Sequence, residues 1–414
     1  MCRRNGVARH KPAAPLNRLF SANRLHCGGR LPGNNRMHPR DGLLPADISS
    51  HGNRKIREAG TMYYPLKFRP LYKDYIWGGR NLASLGKTLP AAGRVAESWE
   101  IACHENGSSI VANGEYEGIP LPGLIKMLGR KLIGEALPQQ DIDRFPLLVK
   151  FIDAEENLSV QVHPDDEFAN ANEYGEYGKT EMWYVISAKP GARLVHGVVP
   201  GTSRESFAGA IASNDVERFL NTIEVSAGDV FYIPAGTVHA IGRGIIIAEI
   251  QQNSDTTYRV YDYGRTGREL HIEKALEVIN FDPADAGKKY TGITLPLSSG
   301  GTRRIVTANR YFCTEIYDIE GSADEVADGS RFHIYVFVSG TGAIGWEGGR
   351  LPVRAGESVL IPAAMGKYTL EGNLTALKTY RPDPAKDVLR PLLDAGFSEE
   401  LIFSEIAGLV DALN

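Results

Sequence analysis

The residue types in this chain best suited to hold a metal ion are two imidazoles, a carboxylate and a side-chain amide, and their spacing puts them on strands. In LSVQVHPDD (158–166), side chains two apart share one face of an extended strand, so Ser159, Gln161 and His163 point the same way. In GKTEMWYV (178–185) the same rule pairs Lys179 with Glu181. A third stretch, GDVFYIPAGTVHAIG (228–242), reads as a strand, a turn in which Pro234 fixes φ and Gly236 tolerates φ > 0, and a second strand starting at His239. Gln161, His163, Glu181 and His239 together form a borderline nitrogen and oxygen set. It suits Zn²⁺ best and admits Fe²⁺, Co²⁺ and Mn²⁺. Four protein ligands plus a water leave an exchangeable position, a catalytic rather than a structural arrangement. Taken alone, His239 has a second reading, as a strand histidine held by hydrogen bonds.

Other charged groups stand close in sequence. Asp255 and Arg259 lie four apart in SDTTYR (254–259). An arginine near a metal offers a planar, always-charged donor for a developing oxyanion or a phosphate. The alternative is an internal ion pair between Asp255 and Arg259. Lys150 interrupts the apolar run FPLLVKFI (145–152). A buried lysine needs an anionic partner, unless its stem carries the ammonium to the surface. Glu249 is the polar residue that ends GIIIAE (244–249).

These residues need strands to position them. Residues 62–160 read as short strands broken by Gly and Pro, ESWEI (97–101) among them. Within that stretch Leu124, Ile125, Leu128, Leu132 and Ile133 recur at helical spacing and predict one helix over 121–137. Residues 200–222 read as a helical excursion, expected as a lid or side domain beside the site. Ser203-x-x-Ser206 is not expected to form a capping box, whereas Asn214-Asp215 is placed to cap a short helix carrying Val216, Phe219 and Leu220. The block 304–380 repeats the strand pattern: RAGESVLIPA (354–363) parallels SAGDVFYIPA (226–235), and Lys367 stands where the first copy has His239. An ammonium cannot ligate a metal, so the second copy is expected to be metal-free, with His333 an ordinary core or surface residue. Beyond 383 the period becomes helical. Val388, Leu389, Leu392 and Leu393 fit one helix and Leu401, Ile402, Ile406, Leu409 and Val410 a second, with the break at Gly396. This tail is expected to dock on the body or to mediate self-association.

Composition narrows the function classes. Residues 1–61 carry 12 Lys and Arg against 3 Asp and Glu, which leaves 62–414 with a net charge of −13. A body that acidic is a poor nucleic-acid binder, and an anionic ligand would need a few local cations. No apolar run reaches the ~18 residues of a membrane span. Cys2, Cys27, Cys103 and Cys313 form no CxxC pair and fit a reducing cytoplasm. Residues 1–61 have no sustained period. We read them as a disordered basic extension, or as a start assigned too far upstream of Met62; an organellar transit peptide lacks the amphipathic pattern here. His10, His26, His38 and His51 show no ligand spacing.

The spacing Gly228-x5-Pro234-x-Gly236-x2-His239 is that of the second motif of the cupin superfamily. YIWGG (75–79), ESWEI, FPLLVKFIDA (145–154), LSVQVHPDD, GKTEMWYV, IPAGTVHAIG and AEIQQNSDTTYRVYDYGR (248–265) follow in order. Over 62–382 this series resembles the mannose-6-phosphate isomerase (phosphomannose isomerase) family of the short bacterial kind. The resemblance implies a mainly β fold of two cupin-like, jelly-roll β-barrels packed together, with a few helical excursions and the helical tail. The domains expected are a catalytic metal-binding unit over 62–281, a metal-free one over 282–382 and the extension 383–414.

The resemblance further implies a zinc-dependent aldose–ketose isomerase acting on D-mannose 6-phosphate and D-fructose 6-phosphate, with one Zn²⁺ per chain held by Gln161, His163, Glu181 and His239. The family's catalytic arginine falls on Arg259. Its other acid–base and sugar-contacting residues fall on Glu249, Asp255 and Lys179, and its phosphate-side residues on Ser159 and Lys150. Moving a proton between C2 and C1 through a cis-enediol needs a general base and a cation for the oxyanion. Arg259 is expected to be essential and Glu249 to shuttle the proton, with Lys179 and Asp255 as alternative bases or ring-opening groups. A non-enzymatic sugar-sensing cupin would be expected to have lost ligands or Arg259, and all are present. A different metal-cupin enzyme, such as an iron dioxygenase, would carry His-x-His where this chain has Gln161-x-His163. The partner implied is a small sugar phosphate, with no nucleic acid and no membrane; a homo-oligomer is compatible.

Overall fold

The computed structural model describes residues 63–282 and 285–413, so the basic segment with its four histidines lies outside the described residues. Three large, open antiparallel sheets dominate, and none closes into a barrel. The first has six strands, in the order Val230–Ile233, Glu181–Ala188, Ile245–Gln252, Leu147–Ala154, Glu97–Ile101, Leu71–Lys73. Leu147–Ala154 and Ile245–Gln252 are buried along their whole length. Both faces of this sheet are covered, which is why these strands read as apolar runs rather than alternating ones.

On one face, Leu147, Val149, Phe151, Ala248 and Ile250 join Ile316, Phe332, Ile334 and Leu377 of the C-terminal module in a single apolar cluster. The other face meets a five-stranded sheet, ordered Leu220–Glu224, Arg193–Val198, His239–Ile241, Val160–Val162, Tyr258–Tyr261. Between these two sheets, Ile152, Trp183, Val185, Leu194, Phe231, Ile241 and Ile247 make an apolar core. Because side chains alternate, the same inward faces also carry Lys150, Glu181, Glu249, Gln161 and His239.

The C-terminal module is a nine-stranded sheet, and it takes in the strand Leu66–Arg69, with Leu66 opposite Leu360. That strand therefore ties the start of the described body to the module after residue 282. Inside the module, His333 is buried, and its Nδ1 lies 2.8 Å from the Tyr368 hydroxyl. Lys367 is exposed, on a strand paired with Val326. The tail docks: Val388, Leu392, Ile402, Ile406 and Leu409 pack on Ile293, Ile305, Cys313 and Tyr380. Gly396 turns between its helices at φ 92°.

Four local expectations are corrected. The helix over 121–137 is two, Leu121–Leu128 and Arg130–Ile133, because Gly129 adopts φ 50° and accepts the break. Ser203 and Ser206 do form a capping box on the helix Arg204–Ala212: each backbone N–H donates to the other's hydroxyl, at 3.0 and 3.1 Å. A serine thus does what Glu or Gln usually does at that position. Asp215 precedes the short turn Val216–Phe219 without a side-chain cap bond, its carboxylate pairing with Arg218 instead. This excursion is not a lid. Phe207 and Val216 pack with Val160, Val162, Val238 and Tyr258 on the outer face of the five-stranded sheet, away from the site.

Candidate active site

Local contacts explain how distant segments converge. Gly236 takes φ 87° in its turn and donates its N–H to the His163 carbonyl at 2.8 Å. His239, three residues on, lies directly opposite Gln161 in the sheet. The segment Pro164–Asp166 clasps Gly178–Thr180 in turn. Lys179 N–H donates to the Pro164 carbonyl at 3.0 Å, and Gly178 N–H to Asp166 Oδ1 at 2.8 Å. Gly178 sits so close to Asp165 that a Cβ would fall 2.5 Å from the Asp165 carbonyl carbon. Thr180 N–H is fixed by Gln252 Oε1 at 2.9 Å, and Glu181 follows directly.

The result is a cluster of His163, Glu181 and His239, all buried, with one candidate ligand atom from each within 4.8 Å of the others. Glu181 Oε1 is 3.2 Å from His163 Nε2, and Glu181 Oε2 is 3.8 Å from His239 Nε2. Neither His163 ring nitrogen nor Glu181 Oε1 is in hydrogen-bonding geometry with a protein partner. Lone pairs are thus left buried and converging, which is costly unless a cation takes them up. The His239 Nδ1 lies 2.8 Å from the Thr237 carbonyl. That bond assigns the proton to Nδ1 and leaves Nε2 bare toward Glu181, the usual state of a metal-binding histidine. Gln161 places its amide 3.2 Å from the same Nε2; an amide flip presents its oxygen instead. The donor set therefore fits one borderline divalent cation.

Burial, reinforced by Lys179, pushes His163 down to about 3, so this imidazole is neutral. Burial also lowers His239. Burial alone would raise the Glu181 carboxyl, but the Lys179 ammonium, whose Nζ is 3.3 Å away, holds it well below the ordinary carboxylate range. Glu249 goes the other way: burial and the charge on Glu181 raise it to about 7, against the opposing pull of Lys150 and Lys179. Lys150 stays charged. Burial works against it, but Glu249 at 2.9 Å and Glu97 at 3.6 Å raise its pKa overall.

Above the cluster opens a cavity of about 280 Å³. Gln161, Glu181, Lys150, Lys179, Glu249, Ser159, Asp255 and Arg259 all line it, and His163 and His239, which do not line it, lie buried against Glu181, so the structure brings every sequence-predicted site residue together. Lys150 is buried rather than carried to the surface. Asp255 and Arg259 do not pair with each other. Asp255 Oδ2 accepts from Asn106 Nδ2 at 2.8 Å, while Arg259 donates to Ser159 Oγ at 3.2 Å and to the Glu269 carbonyl at 2.7 Å.

Sequence reasoning assigned no role to Glu97, Trp183 or Arg268. Glu97 lines the cavity and accepts from Trp99 Nε1 at 2.7 Å. The Glu-x-Trp spacing at 97–99 and 181–183 was the available signal, since residues two apart on a strand share a face. Arg268 enters from a loop and is held by both Asp262 oxygens at 3.1 and 3.2 Å; no sequence period marks it.

Residues 66–185 match the model of the phosphomannose isomerase type I catalytic domain, and residues 302–381 that of the mannose-6-phosphate isomerase cupin domain. Over 313 residues the chain is 40% identical to mannose-6-phosphate isomerase ManA of Bacillus subtilis, covering 74% of this chain and 96% of that one. It is 36% identical over 326 residues to the mannose-6-phosphate isomerase of Streptococcus mutans, covering 77% and 99%. A solved structure of the mannose 6-phosphate isomerase from Bacillus subtilis superimposes with a TM-score of 0.70 at 36% identity, over 76% of this chain and 99% of that one.

Proposed function

The chain belongs to the type I phosphomannose isomerases, and on that footing we propose that it interconverts D-mannose 6-phosphate and D-fructose 6-phosphate by proton transfer through a cis-enediol. The observation that carries this reading is the buried His163–Glu181–His239 cluster under a cavity walled by Glu249, Lys179 and Arg259. In our reading Gln161 completes a four-residue set that holds one Zn²⁺. Such an ion, when bound, supplies Lewis-acid polarisation of a substrate oxygen.

The remaining roles fall to the chain's own side chains. Arg259, fixed by Ser159 and the Glu269 carbonyl, offers its charge to the enediolate oxygen. Glu249, near neutrality in pKa, moves the proton between C2 and C1. Asp255 and Lys179 flank the cavity as ring-opening and sugar-contacting groups. Ser159, with Arg268 nearby in the wall, is our choice for the phosphate end. Lys150, also proposed for phosphate on family grounds, is held between Glu249 and Glu97, so we assign its main duty to Glu249. We keep 62–281 as the catalytic unit, 282–382 as a metal-free support and 383–414 as its packed extension. The free thiols of Cys103 and Cys313 favour a cytoplasmic setting. Among the described residues no helix is long and apolar enough to cross a membrane.

The test is a coupled assay of mannose 6-phosphate conversion before chelation, after chelation and after zinc add-back. Loss and recovery of turnover are expected; full activity in the chelated, metal-free protein would refute the cation's role.

A further inference from the structure

Trp183 is buried at 1% exposure and stands between two carboxylates. Its indole Nε1–H donates to Glu249 Oε2 at 2.8 Å and to Glu181 Oε2 at 3.1 Å. The indole has a single N–H and no acceptor, so one proton is shared between both groups. Strand register enforces this: Trp183 lies opposite Glu249 on the neighbouring strand, and Glu181 is two residues away on the same face. The ring also meets His239 edge-on, with centroids 5.3 Å apart and planes at 77°. Trp183 itself forms no part of the cavity wall, so substrate does not reach it.

We propose that Trp183 is a positioning residue which, by sharing one N–H between Glu181 and Glu249, fixes the proton-transferring carboxylate relative to the cation site. This rests on the isomerase reading above. A residue that orients Glu249 without touching substrate affects turnover and leaves binding alone. Trp183→Phe keeps an aromatic ring in the core and removes only the donor and part of the ring system. Its kcat is expected to fall at least tenfold, with KM for mannose 6-phosphate within twofold of wild type and metal per chain unchanged. A kcat within twofold of wild type, or a fall in kcat accompanied by metal loss or a broadened melting transition, overturns the proposal.

A second measurement does not depend on that variant folding. Ultraviolet resonance Raman reports indole N–H bonding for the chain's four tryptophans. Between wild type and Glu249→Gln, one tryptophan is expected to move toward weaker N–H bonding; coincident spectra overturn the proposal. The Raman readout needs no turnover, so it stands or falls separately from the isomerase reading, which fails if wild-type protein converts no mannose 6-phosphate.

Discussion

Removing the charge of Lys150 is the sharpest probe of how this site sets its proton-transfer group. Burial and the neighbouring Glu181 raise Glu249 to about 7, while Lys150, 2.9 Å from Glu249 Oε1, pulls it down. If the anionic form of Glu249 does the work, kcat/KM of the wild type rises with pH through about 7. Lys150→Met keeps the volume of the stem and deletes the ammonium. Stripping one partner from a buried ion pair costs about 3–5 kcal/mol. Glu249 avoids that cost by taking up a proton, so its pKa climbs by roughly 2–4 further units. The sign is fixed: losing a cation favours the neutral acid, so the acid limb moves to higher pH. At pH 7.5 the anionic fraction then drops by roughly 25- to 2,400-fold. The assay is a pH profile of kcat/KM for mannose 6-phosphate from about pH 5.5 to 10, with both proteins in the same metal state. An acid limb still near 7 in the variant would refute the link between Lys150, Glu249 and the rate.

Three more outcomes follow from the geometry. Arg259→Ala should lose at least ~100-fold in kcat, the scale for one preorganised charge donor, while its melting temperature stays close to wild type because Arg259 is only partly buried and bonds to Ser159 and one carbonyl. A near-normal rate would remove it from the mechanism. His239→Ala should purify depleted of metal and inactive, as elemental analysis and assay together would reveal; a fully loaded variant would contradict the ligand set. Ile402→Ala, in the tail core, should destabilise by about 2–5 kcal/mol in chemical denaturation yet leave kcat of the folded protein unchanged. An unchanged midpoint would mean the tail is not docked in solution.

The sequence by itself determined which side chains share a face. Alternation along a strand aligned Ser159, Gln161 and His163, and paired Lys179 with Glu181, with no knowledge of neighbours. It also marked the turn at Pro234–Gly236, the loss of the histidine at Lys367 and the break at Gly396, because Pro, Gly and charge act locally. Local rules had less to say where backbone conformation was a choice: Gly129 split a helix the period had joined, and Ser206 completed a cap its residue type did not advertise. What only the tertiary structure decided was the company each face keeps. Glu249 meets Lys150 and Trp183 through the pairing of three strands that are far apart in the chain, and Arg268 arrives from a loop with no period. Side-chain periodicity is a property of one strand, whereas pKa, ion pairing and cavity shape depend on which strands pair and in what register. That pairing is set by burial of the whole core, and no single segment carries it.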